Sequence, residues 1–306
     1  SVNLIAYYLF TNTAFTTITI PASVTSIEDE AFKDATSLSS VTFEDNSQLT
    51  SIGTGAFQST ALTSITIPAS VASIADDAFQ NMPSLASVTF EAGSQLTSIG
   101  TSAFQQTGLT SITIPAGVAI IGDKAFYLAT SLSLVTFEAG SQLTSIGDYA
   151  FFQSGLTSIT IPAGVTNIGT YAFSSAFSLA SVIFERNSQL TTIETYAFFG
   201  ASSLTLIRIP AGVNSIGYNA FANTILSTVY IEDEQVNNIS SPAEGVEFSG
   251  ARNVTVLLPI PTSIFTYSDG SKSESSDTTI TSNSYSGDIP VGESLVSVFI
   301  GGNVTT

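Results

Sequence analysis

Cysteine, histidine and tryptophan are absent from the 306 residues, and only 10% of positions carry a charge. Without Cys no disulfide can staple the chain. Without Cys and His it can build neither a zinc site from those ligands nor a Cys–His or Ser–His–Asp nucleophile system. Basic residues are as scarce: six Lys plus Arg stand against 24 Asp plus Glu, a net charge of −18. That balance repels phosphate backbones and anionic lipid, which disfavours nucleic acid and membrane surfaces as partners. The longest apolar run, Asn3 to Phe10, is far too short to span a bilayer. No glycine-rich phosphate loop or calcium-loop series occurs, so no cofactor or metal is expected. The chain begins with Ser and has no basic leader, and reads as a mature form or an excised fragment.

What the sequence has in abundance is repetition. Pro21, Pro68, Pro115 and Pro162 are 47 residues apart and close the segment LTSITIP or its variants, with Pro210 following at 48. Phe43, Phe90, Phe137 and Phe184 end an interleaved segment of type SLxSVTFE, again at intervals of 47, with Ile231 next. Ala-Phe pairs ending at Phe32, Phe57, Phe79, Phe104, Phe126, Phe151, Phe173, Phe198 and Phe221 alternate in spacing between 25 and 22, with a final 23. Phe10 and Phe248 extend the series, giving about eleven coils in two flavours.

Each coil has a physical reading. Alternating apolar residues in the SITI and SVTF segments predict a strand with one buried face. The VxSIG run adds a second inward-facing pair. Asp or Thr two residues before Ala, as in Asp29, Thr54, Asp76 and Asp123, is a helix-capping type, which predicts a short helical or 3-10 turn opening on Ala-Phe. The Phe plugs the interior. Every coil bares apolar faces above and below, so only stacking buries them.

The pattern LxxIxIPxxVxxIGxxAFxx resembles the BspA-type (treponemal-type) leucine-rich repeat, with Ile and Phe replacing several leucines. The resemblance spans about four fifths of the chain. It implies a leucine-rich-repeat solenoid of the α/β horseshoe class, mostly β, with a parallel sheet on the concave face and short helical or 3-10 turns on the convex face. It also implies a secreted or surface-attached protein. One departure is that the Cys usual after Ala-Phe is replaced, by Thr60, Thr107, Ala129 and Ser154 among others.

Periodicity stops after Pro261. Residues 1–261 are therefore expected to form the solenoid with its N-terminal cap, and 262–306 a β-rich, Ser/Thr-rich C-terminal cap or tail. The sequons at Asn238, Asn253 and Asn303 lie near that end and have the frequency of chance matches.

Four features bear on function. Thr19, Thr42, Thr66, Thr89, Thr113, Thr136 and Thr160 form an outward ladder on the concave sheet, beside a Ser column broken by Leu134. It reads as solvated β-favouring threonine or as a platform of hydroxyls and methyls. From the eighth strand the ladder breaks to Ile183, Arg208, Tyr230 and Leu257, with Leu206 beside Arg208, a mixture typical of binding hot spots. On the convex side Tyr149, Tyr171 and Tyr196 precede the Ala-Phe pair, near Phe152, Phe199, Tyr218 and Phe177. Finally, Glu44, Glu91, Glu138, Glu185 and Glu232 follow every second strand and read as solvated edge charges. The expectation is a non-enzymatic extracellular binding or adhesion protein that takes a protein or glycan ligand on a cell or matrix surface. The alternatives are a spacer within a larger adhesin, or a binder of a periodic surface (polysaccharide or ice) through the Ser/Thr ladder.

Overall fold

The computed structural model describes residues 2–231 and the short segments 255–257, 265–266 and 272–273. The chain winds as a solenoid whose coils each contribute a four-residue strand, a two-residue strand and a run of turns. Ten two-residue strands, from Leu4–Ile5 to Ser215–Ile216, stack in sequence order into one continuous parallel sheet. Register is strict: Ile52 pairs with Ile27 and Ile74, and the isoleucine that ends each short strand is buried. Longer strands such as Ser64–Ile67 and Ser87–Phe90 form a second face, also parallel. Their alternate residues Ile65, Ile67 and Val88 are buried, while Thr66 and Thr89 are exposed.

The third face departs from expectation. The Ala-Phe segments form no α- or 3-10 helix among the described residues, only successive turns. Two positions per coil, four residues apart, hold positive φ: Glu30 and Asp34, Asp77 and Asn81, Tyr149 and Gln153. A left-handed residue interrupts helical continuation. The freed amides turn outward to the next coil instead: Glu30, Phe32 and Asp34 donate to the carbonyls of Thr54, Ala56 and Gln58. On the strand faces the bonds run the other way, as when Thr50 and Gly53 donate back to Thr25 and Ile27. Backbone polarity is thereby satisfied between coils on all three faces, as burial demands.

The expected capping role of the Asp residues is likewise replaced. Asp29, Asp76, Asp123 and Asp148 accept, through Oδ1, the backbone N–H of Thr54, Thr101, Asp148 and Thr170, each one coil onward, at 2.7–2.8 Å. They staple neighbouring coils rather than begin a helix. The glycine after the short strand follows from the same closeness. A Cβ on Gly147 would lie 2.7 Å from the Asp123 amide nitrogen of the coil below.

At the centre runs a stack of ten phenylalanine rings, Phe10 through Phe221, with neighbours 5.1–5.4 Å apart and 2–18° from parallel. Nine of the ten are fully buried. Phe15 meets Phe10 edge-on at 5.3 Å and covers the first ring. Beyond the main array, Phe265–Thr266 pairs antiparallel with Lys272–Ser273. The rest of the expected tail, the coil marked by Phe248, Glu232 and the three sequons lie outside the described residues.

Candidate functional site: the long-strand face

The 25-residue and 22-residue units differ beside the long strand. Seven residues, 44–50, join Ser40–Phe43 to the next short strand, whereas five, 21–25, follow Thr17–Ile20. Each longer unit is tied to the shorter one before it along all four strand residues, as in Ser64–Ile67 with Ser87–Phe90 and Ser111–Ile114 with Leu134–Phe137. The next junction opens: Ser87 pairs with Ser111, and Leu134 with Ser158, but the strands then diverge. Ser181–Phe184 and Leu206–Ile209 belong to different sheets altogether. The face is therefore a series of strand pairs separated by clefts.

This arrangement decides how the threonine ladder is organised. Thr19 with Thr42, Thr66 with Thr89, and Thr113 with Thr136 share hydroxyl–hydroxyl hydrogen bonds of 2.9–3.0 Å within pairs. Thr160 faces Ile183 and has no such hydroxyl opposite. All seven threonines are exposed. They do not form an evenly spaced lattice, because a cleft follows each pair.

The glutamates also acquire a role that sequence did not reveal. Glu44, Glu91, Glu138 and Glu185 accept, through Oε2, the backbone N–H of Ala22, Ala69, Ala116 and Ala163 in the preceding coil, at 2.9–3.0 Å. They are exposed, as expected, but they clamp the two loops of each strand pair. An acceptor 22 residues away on a backbone amide leaves no mark in local composition.

At the C-terminal end of the face the predicted break forms a groove. Ile183 and Leu206 are 53% and 43% exposed, two adjacent large aliphatics where the other exposed one on the long strands, Leu134 at 45%, stands alone. With Phe184, Thr205 and Arg208 they line a cavity of about 480 Å³. The Arg208 guanidinium carbon lies 4.4 Å from the Tyr230 ring centroid, a cation–π contact between directly paired strand residues. Leu257 continues the row by backbone pairing with Tyr230. The structure thus brings together Ile183, Leu206 and Arg208 with Tyr230 alongside, and separates them from the Thr pairs.

The tyrosines lie on the turn face, away from this groove. Tyr149, Tyr171 and Tyr196 stack on one another at 4.8 and 4.7 Å, 10–11° from parallel. Tyr127 stacks on Phe152, and Tyr218 meets Tyr196 edge-on. Burial, and then the neighbouring Tyr196 and Tyr149 phenols, raise the Tyr171 pKa. Their ring faces are spent on each other, so what remains for a partner is mainly edges and hydroxyls.

Sequence reasoning treated Phe43, Phe90, Phe137 and Phe184 only as repeat markers. They are half-buried, where Ile20, Ile67, Ile114 and Ile161 at the equivalent positions are buried. Phe137 lines a second cleft, of about 250 Å³, with Leu134, Thr136, Ser158, Thr160 and Glu185. The clue was the Phe-for-Ile exchange in every second unit.

The profile of the BspA type leucine rich repeat region matches residues 3–133 and 120–244 in six copies. The chain belongs to this family. Among solved structures, the pneumococcal vaccine antigen PcpA is similar at 25% identity and TM-score 0.54, over 85% of this chain and 75% of that one. A leucine rich cell surface protein of Faecalibacterium prausnitzii is similar at 27% identity and TM-score 0.40, over 79% of this chain and 87% of that one. No curated protein matches. The BspA-type repeat explains the parallel-strand solenoid, and no helix among the described residues is long and apolar enough to cross a membrane.

Proposed function

We propose that this BspA-type solenoid is a secreted or cell-surface recognition protein, a scaffold rather than an enzyme. It binds a protein or glycan ligand through its long-strand face, with the groove around Ile183, Leu206, Arg208 and Tyr230 as the principal site. The supporting observation is the conjunction at that groove. Two exposed aliphatics flank a cavity, and an arginine is held over a tyrosine where, among the described residues, the Thr repeat stops copying itself. Arg and Tyr combine large contact area with directional hydrogen bonding and recur as binding anchors. The similarity to the pneumococcal vaccine antigen PcpA agrees with such a role.

The test is a panel of matrix proteins and an immobilised glycan array probed with wild type and with Arg208→Ala/Tyr230→Ala. Both positions lie on an outer sheet surface, so the variant should keep the wild-type circular dichroism spectrum and Tm. Loss of the ligand bound by wild type supports the groove. Undiminished binding moves the site elsewhere.

A further inference from the structure

The clefts recur, and their recurrence specifies a ligand. Stacked rings 5.1–5.4 Å apart set the coil spacing, so clefts that follow every second coil are about 10 Å apart along the solenoid. Cavities lie beside the half-buried Phe137 and Phe184, and the strands part in the same way after the equally half-buried Phe43 and Phe90. Thr and Ser hydroxyls rim them, as at Thr136, Ser158 and Thr160. The strands from Thr17 to Phe184 carry no basic residue, and Arg208 enters only at the far wall of the cleft beside Phe184.

We propose that the long-strand face binds a neutral, extended β-1,4-linked polysaccharide lying along the solenoid axis, with one disaccharide per cleft. This deepens the reading of the face as a recognition surface and rests on it. Each sugar of such a chain advances by about the length of one coil, and successive sugars flip by half a turn. Its chemistry therefore repeats every second sugar, as the clefts repeat every second coil. Half-exposed aromatic edges suit the apolar faces of pyranose rings, and paired hydroxyls beside carboxylates suit their hydroxyl rims.

A polyproline II peptide has a similar period, about 9.3 Å, so binding of a proline-rich peptide in place of every oligosaccharide overturns the proposal. The other polymers fit less well. An extended peptide repeats its side chains about every 6.7 Å. Polyanions are repelled by the net charge of −18. An ice plane requires an even lattice, and the hydroxyls here are paired and interrupted.

The deciding experiment titrates the full chain with cello-, chito- and manno-oligosaccharides from disaccharide to decasaccharide, by calorimetry and affinity electrophoresis. Affinity for one of these series should climb in steps of two sugars as further clefts engage. Phe90→Ile and Phe137→Ile install the residue found in the alternate coils and so preserve the fold. Each should weaken binding of the longest chain about tenfold, the worth of one aromatic contact. Thr97→Ala, on the short-strand face, should leave that binding unchanged. No binding by any series, no dependence on length, or full binding by the Phe→Ile variants overturns the proposal. A protein ligand lost with Arg208→Ala, in the absence of glycan binding, overturns it while leaving the recognition groove intact.

Discussion

The rings of Phe198 and Phe221 lie 5.2 Å apart and 2° from parallel, although 23 residues separate them in the chain. The same relationship joins each coil to the next. It makes the phenylalanine stack the element through which stability passes along the solenoid, where coils contact only their neighbours. Phe126→Ala removes a fully buried ring from the middle of it, between Phe104 and Phe151. A loss of about 3–5 kcal/mol is expected. In urea the variant should unfold at lower concentration. Phe10→Ala, at the half-buried end, should cost clearly less.

Gly147 tests how closely the coils approach. Its added Cβ would meet Asp123 Oδ1 at 2.5 Å and the Asp123 amide nitrogen at 2.7 Å. Backbone cannot rotate away as a side chain can, so Gly147→Ala should destabilise by about 1–3 kcal/mol. Gly93→Ala is the contrasting case, because nothing lies within 4 Å there and the cost arises from its φ of 77° alone. Thermal unfolding of the two variants separates crowding from backbone strain.

The Glu138 clamp predicts a difference between removal and neutralisation. Glu138→Ala orphans the Ala116 N–H and should cost about 1 kcal/mol, with solvent partly satisfying the exposed amide. Glu138→Gln keeps an acceptor oxygen and should cost less. Equal losses in chemical denaturation would mean that the charge, not the hydrogen bond, matters.

How much of this was legible in sequence follows from the length scale of each interaction. The Phe plug and the strands were legible because burial imposes a period, and the 25/22 alternation of Ala-Phe carries it. The turn face was misread because left-handed backbone there is carried in several coils by residues such as Glu30, Lys124 and Tyr149 that do not advertise it. Gly55, Asn81, Gly200, Asn219 and Asn223 do, but they recur in too few coils to mark the pattern. The Asp29 and Glu44 bonds reach backbone amides 25 and 22 residues away, and no local motif encodes them. The groove was legible as a place, from the broken Thr column. Its walls were not, because the clefts arise from extra loop residues acting between coils.

Asp77 offers a pH test. Burial first, then the Asp76 carboxylate, raise its pKa, while Lys33 opposes them. A raised carboxyl holds its proton more tightly folded than unfolded, so its contribution to stability declines as pH rises through the carboxylate range. At neutral pH the charged form is a penalty. Asp77→Asn removes that penalty, keeps an acceptor for Gln80 Nε2 at 2.7 Å, and suits the φ of 56°. Its Tm should exceed that of wild type at pH 7, with the gap closing below about pH 4. A lower Tm at pH 7 would refute this assignment.

The absence of cysteine makes one measurement especially direct. Single cysteines introduced at Ile183, Leu206, Tyr171 and Thr97 place a bulky thiol label on the groove, on the turn face and on the short-strand face in turn. Each labelled protein is then scored for binding to the same matrix-protein and glycan panel. Labels at Ile183 and Leu206 should abolish binding, and labels at Tyr171 and Thr97 should leave it intact. Binding that survives both groove labels and is lost on labelling Tyr171 or Thr97 would contradict recognition through the long-strand face.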